Sequence, residues 1–452
     1  MDPLIIAIIV AVFTLIVLFS VIPIAFGLSF VSIVLLVSFE GFQMLDVFAE
    51  TFYAGLNSFV LLSIPMFILM GMAVANSPAG KDLYTGLDRW LWRVPGGLVI
   101  SNIGACSIFA ALSGSSPATC AAIGTMGIPE MRKRGYSDQI ATGTIAAGGT
   151  LGVLIPPSIV LIVYGIATGT SIGRLFLCGL VPGFMLAGMF AVWALIHSYF
   201  IDKDSAKALK NRTPPTLKEK LEVLPRIFPF LAIIVGVLYV LYGGVATPSE
   251  ASGVGAFLVF VLIAVVYKIY QPKKIWNIVK VSMKESVMIM FIIAASYLFA
   301  FTLSQLYVTQ SLAQSMVELS SNKWVVFILI NIFLLIAGFF LPPVAVIVMT
   351  SAILLPVITT LGFDPYWFAI VFTINMEIGL ITPPVGLNLY IIKGITPDVS
   401  LSEILKGSIP FMIIMALAIL ILCIFPEIVT WLPDKVMGKP CLLYTSPSPR
   451  DH

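Results

Sequence analysis

Charge and histidine are what this sequence has least of. Only 10% of its 452 residues are Asp, Glu, Lys or Arg, against roughly 25% in an ordinary soluble domain, which excludes a soluble globular chain. Twenty-five basic and 22 acidic residues leave a formal charge of +3, too little and too scattered for a nucleic-acid groove. The only histidines are His197 and His452, so a histidine metal centre or a Ser-His-Asp triad would rest on His197 alone. That residue closes an apolar helix before a basic loop, an ordinary place for a polar group. Cys106, Cys120, Cys178, Cys423 and Cys441 lie far apart with no paired spacing, so no disulfide framework follows. There is no Gly-x-x-x-x-Gly-Lys-Ser/Thr loop and no large polar segment for a nucleotide, which argues against an ATP-driven pump. No nucleophile stands at useful spacing from a base, so an enzyme is not expected.

What the chain has is apolar length: 59% of it is hydrophobic. Its apolar runs each approach the roughly 20 residues that cross about 30 Å of hydrocarbon. Full spans are expected near 3–20, 22–45, 53–76, 138–170, 175–200, 227–245, 250–268, 285–304, 365–394 and 408–432. The fold class is therefore an all-α polytopic membrane protein. Lys and Arg collect at 81–93, 132–134, 203–226 and 268–284, whereas residues 1–80 have none. The positive-inside rule puts those four segments in the cytoplasm and both termini outside.

Two apolar stretches do not read as single spans. Residues 95–131 have basic flanks at Arg93 and Arg132-Lys133-Arg134, so both ends share the cytoplasmic face. This is a re-entrant hairpin whose tip is Ser113-Gly114-Ser115-Ser116-Pro117-Ala118-Thr119. Residues 324–361, centred on Leu341-Pro342-Pro343, read as a second hairpin entering from the opposite face.

An ungapped offset of 227 joins the two regions: Pro129 falls on Pro356, Gly135 on Gly362, Gly152 on Gly379, Pro156 on Pro383 and Pro157 on Pro384. With 29 prolines in 452 residues a chance Pro/Pro match is expected about once in 240 positions. Five spans separate corresponding points, an odd number, so the second copy is inverted. Inverted repeats with discontinuous elements are a feature of transporters.

After each hairpin comes a helix expected to break, at 148–158 (Gly148, Gly149, Thr150, Gly152, Pro156, Pro157) and at 375–386 (Asn375, Glu377, Gly379, Thr382, Pro383, Pro384). Paired prolines remove amide donors and obstruct carbonyls one turn earlier. Such backbone is tolerated in a bilayer only against protein or a wet cavity, and its carbonyls suit a hard cation such as sodium. Ser113, Ser115, Ser116 and Thr119 offer oxygens to one cation against the first break. Asn375 and Thr382 offer them to another near 341–343. Helix ends at the tips direct amide N–H groups inward, where a substrate carboxylate could sit. Glu377, near mid-span, is a functional candidate by its cost alone, with no specific role assigned. Lys393 is expected to snorkel to the cytoplasmic surface. Segments 81–93 and 305–322 read as amphipathic arms along the membrane surface, with Trp90 and Trp92 at the interface, or as packing faces for a partner. The tail from about Lys439 departs in composition from the rest and reads as non-native.

The runs SGSSPATCAAIGTMGIPEMRKRGY at 113–136, GGTLGVLIPPS at 148–158 and NMEIGLITPPVGLNLY at 375–390 resemble the large membrane subunit of tripartite ATP-independent periplasmic (TRAP) transporters. The resemblance reaches to about residue 435. It implies a sodium-coupled importer of small organic carboxylates, of the four-carbon dicarboxylate or sialic acid type, in the bacterial inner membrane. Implied partners are a small four-helix membrane subunit, not fused here, and a soluble periplasmic substrate-binding protein. It also implies an elevator: scaffold helices at 1–76 and 175–303, transport repeats at 77–174 and 304–396, a final helix at 397–435 and a tail at 436–452. At least two sodium sites carry over, to Ser113–Pro117 with Gly148–Gly152 and to Leu341–Pro343 with Asn375–Pro384. Many family members have an acidic residue at the second tip, where this chain has Pro342, so no carboxylate ligand is expected there. A stand-alone sodium-coupled carboxylate transporter of the same superfamily, or a channel, is the alternative.

Overall fold

The computed structural model describes residues 3–18, 20, 22–94, 96–201, 214–319 and 322–439. The basic stretch 203–213 and the tail from 440 onward lie outside the described residues. Among the described residues every regular element is helical.

The first half runs α1 (Pro3–Leu18), α2 (Ile24–Glu40), α3 (Leu45–Leu56), α4 (Ser63–Ala75), α5 (Ala79–Trp90), α6 (Gly97–Ser113), α7 (Ser116–Lys133), α8 (Asp138–Leu154), α9 (Ile159–Thr168) and α10 (Ile172–Ile196). The second runs α11 (Leu217–Tyr242), α12 (Pro248–Tyr267), α13 (Pro272–Gln305), α14 (Val308–Leu319), α15 (Lys323–Phe340), α16 (Pro343–Thr360), α17 (Pro365–Leu380), α18 (Leu387–Ile395), α19 (Leu401–Ile424) and α20 (Glu427–Met437). Seven described helices are long and apolar enough to cross a membrane, or up to nine if each bent pair counts as one span. Large apolar side chains such as Val235, Tyr239, Phe257 and Val265 stay exposed. On a multi-span chain that is the surface lipid covers.

The repeat extends through the whole fold. Shifted by 227, Gly97–Ser113 becomes 324–340 against Lys323–Phe340, and Ser116–Lys133 becomes 343–360, the bounds of α16. Likewise Asp138–Leu154 becomes 365–381 against Pro365–Leu380, and α9 overlays α18. Contacts exchange between the halves in the same way. Helix α9 packs on α16 as α18 packs on α7, and α8 packs on α19 as α17 packs on α10. The two halves thus share one internal two-fold relation.

Capping chemistry sets the boundaries. Ser137 accepts from Ile140 N at the start of α8, and Ser158 accepts from Leu161 N at the start of α9. Asp364 accepts from Tyr366 N and Trp367 N ahead of α17. Thr216 with Glu219, Thr247 with Glu250, and Ser400 with Glu403 form capping boxes. Close crossings use small residues: a Cβ on Gly143 of α8 would meet Gly407 C of α19 at 2.2 Å.

Several expected spans are corrected. The run 22–45 stops at Glu40, and 53–76 begins inside α3, which meets α4 at a 57° bend. Span 408–432 is two helices, α19 and α20, parted at Phe425-Pro426. Spans 227–245 and 285–304 start a turn or more earlier, at Leu217 and Pro272. Both arms are helices, α5 and α14. His197 opens a short π-helical turn, His197–Ile201, with its ring 6.1 Å from that of Trp193.

Candidate functional site

Both suspected hairpins are helix-turn-helix units, α6–α7 and α15–α16, and each meets a broken helix. At the first tip Gly114 closes α6 at φ +60, where a side chain would meet Pro157 O at 2.8 Å. Its carbonyl accepts from Ile159 N at 3.4 Å, tying the tip to the gap between α8 and α9. Thr119 Oγ1 donates to Ser115 O at 2.8 Å, and Ser113 Oγ lies 2.9 Å from Thr119 Oγ1. These oxygens press on α8: a Cβ on Gly152 would lie 2.8 Å from Ser115 O and 2.9 Å from Thr119 Oγ1. The carbonyls of Gly152 and Val153 have no amide four residues on, because Pro156 and Pro157 stand there.

The second site repeats this logic in backbone alone. Pro342 and Pro343 take away the amides that would serve the Gly338 and Phe339 carbonyls. Pro383 and Pro384 do the same to Gly379 and Leu380, although Gly379 O regains Thr382 N at 3.2 Å. A Cβ on Gly379 would sit 2.6 Å from Gly338 O. Three carbonyls without a helical donor, those of Gly338, Phe339 and Leu380, therefore lie at or next to one close backbone contact. Both breaks contain a cis bond, Pro156–Pro157 and Pro383–Pro384.

Glu377 joins the first site, not the second. Ser116 Oγ, at the start of α7, donates to Glu377 Oε2 at 2.5 Å, and both residues are fully buried. Glu377 Oε1 has no hydrogen-bond partner among the described residues. Further along the same broken helix, Asn388 Nδ2 donates to Ala146 O of α8 at 3.4 Å, and Asn388 Oδ1 is also without a partner. Sequence reasoning missed Asn388 and Asn331; an amide side chain within an apolar run was the available signal.

Other placements are corrected. Gly148, Gly149, Thr150 and Gly152 lie within regular helix; the first break is 155–158, not 148–158. Residues 375–380 are helical too, and the second break is 381–386. Gly148 and Gly149 serve packing, since a Cβ would meet Cys106 Sγ at 2.8 Å and Cys120 Sγ at 2.0 Å. Thr150 Oγ1 donates to Ala147 O and Thr382 Oγ1 to Ile378 O, each at 2.6 Å, so both hydroxyls bond a carbonyl three or four residues back. Asn375 Nδ2 is engaged by Asn331 O and Oδ1 at 2.8 and 2.9 Å, away from the tip at 341–343. Lys393 does not snorkel freely: its Nζ donates to Pro397 O and Val399 O at 2.8 and 2.7 Å.

Three of the basic segments, 81–93, 132–134 and the described part of 203–226, meet in the structure. Arg134 pairs with Asp88 of α5 at 3.1 Å, and Arg89 donates to Glu219 O at 2.6 Å. Tyr267 Oη donates to Asp82 at 2.8 Å. Arg132 pairs with Asp138 at 2.6 Å and Asp398 at 2.7 Å. The hydrogen bond from Arg132 holds the Asp398 carboxyl below the usual carboxylate range. The hydrogen bonds that Arg132 donates to Asp138 and Asp398 raise its guanidinium.

Among the described residues no group of three or more His, Cys, Asp or Glu could hold a metal ion. The ligands present are hydroxyl, carbonyl and carboxylate oxygens, a donor set suited to a hard cation.

Two hairpin tips set against two broken helices in a repeated multi-span bundle define a membrane transport architecture. The same fold occurs in the Alcanivorax borkumensis YdaH transporter, with a TM-score of 0.64 at 12% identity over 94% of this chain and 99% of that one. The family described as tripartite ATP-independent periplasmic transporter, DctM component, matches residues 9–428, and the chain belongs to it. A C4-dicarboxylate TRAP transporter large permease protein of Vibrio cholerae is 35% identical over 437 residues, 92% of this chain and 95% of that protein. An isethionate TRAP transporter permease protein of Oleidesulfovibrio alaskensis is 33% identical over 407 residues, 90% of this chain and 63% of that protein. The chain is accordingly a multi-pass transport protein and not an enzyme.

Proposed function

We propose that this chain is the large permease of a sodium-coupled importer for a small organic carboxylate in the bacterial inner membrane. The observation that carries the reading is the pair of oxygen-rich contacts, Gly152 against Ser115 and Thr119, and Gly379 against Gly338. Each stands where prolines have stripped helical donors from carbonyls, the backbone a sodium ion can use. Helices α7 and α16 start at the tips and α18 starts at the second break, so helix N-termini at the tips can serve a carboxylate between them. The named substrates of the two relatives, a C4-dicarboxylate and isethionate, are small organic anions. A four-carbon dicarboxylate is the favoured cargo over sialic acid, on the Vibrio cholerae relative.

In this reading both hairpins are re-entrant, entering from opposite faces, and both termini are periplasmic. The repeats 77–174 and 304–396 move as an elevator against scaffold helices at 1–76 and 175–303. A four-helix small subunit supports the scaffold, and a soluble periplasmic protein delivers the carboxylate. The test is uptake of labelled four-carbon dicarboxylate into proteoliposomes holding this chain and its small subunit, with and without the binding protein. Saturable, concentrative uptake requiring the binding protein is expected; linear, non-concentrative flux would replace the transporter by a channel.

A further inference from the structure

A cavity of about 680 Å³ lies between the first helix and the second hairpin, and reaches the second hairpin–break contact at Leu341 and Val385. Its walls include Ala11 and Thr14 of α1, Phe299 of α13, Ala337 of α15 and Thr350 of α16. Among the described residues no charged side chain lines it. The size falls within the range of small-molecule sites, yet those carry several convergent polar groups. Here only the two threonines are polar, and Thr350 Oγ1 is already engaged, donating to Val346 O at 2.7 Å. Thr14 is 5% exposed and its hydroxyl has no partner among the described residues. A threonine in an apolar helix ordinarily bonds the carbonyl one turn back, so a free buried hydroxyl here calls for an acceptor from outside the chain.

The mouth indicates where that acceptor comes from. Leu15, Ile336 and Phe340 line the cavity and are also exposed apolar side chains of the outer surface. The opening is thus continuous with the apolar outer face that lipid covers. Thr14 lies four residues from the end of α1, about 6 Å along the axis. A helix of 16 residues rises only about 24 Å, less than the hydrocarbon core.

We propose that this cavity holds one acyl chain of a bilayer phospholipid, whose ester carbonyl accepts from Thr14 Oγ1. The lipid is a structural ligand wedged between α1 and the second hairpin, beside the second hairpin–break contact.

The test uses the full chain in vesicles doped with phosphatidylethanolamine bearing a photoreactive group along one acyl chain. Cross-links are expected on α1 and α16 peptides containing Ala11 and Thr350, in excess over the outward face of α11 around Tyr239. Filling the cavity with Ala11→Phe and Ala337→Phe should cut the α16 cross-link by about tenfold while leaving the Tyr239 peptide unchanged. The near-isosteric Thr14→Val guards against misfolding of the filled variant. It should lower lipid retained in native mass spectrometry about fivefold, the effect of one hydrogen bond. Equal labelling of cavity and outer face, or retention unmoved by both Thr14→Val and cavity filling, would overturn the proposal. So would protection of the cavity from label by an added protein subunit, which would make the occupant a protein segment.

Discussion

Ser116 donates to Glu377 across 261 residues of sequence, from the first hairpin's tip to the second repeat's broken helix. The offset of 227 that aligns the repeats puts Thr150 opposite Glu377, so the carboxylate departs from the internal symmetry. A buried polar link is costly unless satisfied, and among the described residues Ser116 is the one hydrogen-bond donor to this carboxylate. Removing it with Ser116→Ala is expected to weaken half-maximal sodium activation of uptake by about fivefold, as for one net hydrogen bond. Glu377→Gln keeps a side chain able to accept from Ser116. If that variant activates normally while Ser116→Ala does not, Glu377 positions the tip; if both are normal, the link has no part in ion use.

The close approaches at the two breaks leave no room for a methyl group. Gly152→Ala and Gly379→Ala set a Cβ against backbone at 2.8 and 2.6 Å, and overpacking of this kind costs about 1–3 kcal/mol. Both should lose sodium-stimulated uptake while still inserting. Gly236→Ala, where nothing lies within 4 Å, is the matched control and should transport normally. Uptake assays against surface expression decide this.

Pro342→Ala restores an amide to the position that would serve the Gly338 carbonyl. The new donor competes with a cation for that oxygen, so the sodium needed for half-maximal uptake should rise severalfold with no loss of thermal stability. An unchanged sodium curve would remove Gly338 O from the second site.

Acid should loosen the Arg132 latch. The Asp398 carboxyl is held low by its Arg132 bond, so its contribution is present above the ordinary carboxylate pKa and is lost as pH falls through the lowered value. Hydrogen exchange in the turn 396–400, relative to its intrinsic rate, should therefore rise as pH falls below about 4, the ordinary carboxylate value. Asp398→Asn should exchange fast throughout and show no such acid limb.

The fold was legible because its landmarks are chemical. Matched prolines at 156/157 and 383/384 announced both breaks, and Arg132 to Arg134 beside Arg93 marked the first hairpin's ends. The bend between α3 and α4 was hidden, since the sequence is apolar on both sides of Asn57. Boundaries inside the breaks were set too early because Gly148 and Gly149 read as helix breakers. In the structure they are contact points for Cys106 and Cys120. The partners of Glu377 and Asn375 could not be read at all. Those pairings depend on how two hairpins cross, and no local periodicity encodes a crossing.

The most direct test of the account is paired flux in proteoliposomes, with labelled sodium and labelled four-carbon dicarboxylate followed together under an imposed sodium gradient. The account predicts that dicarboxylate accumulates above its external concentration only with inward sodium, and that sodium enters with it in a fixed ratio greater than one. Accumulation that persists with potassium replacing sodium, or dicarboxylate entry without sodium entry, would contradict it.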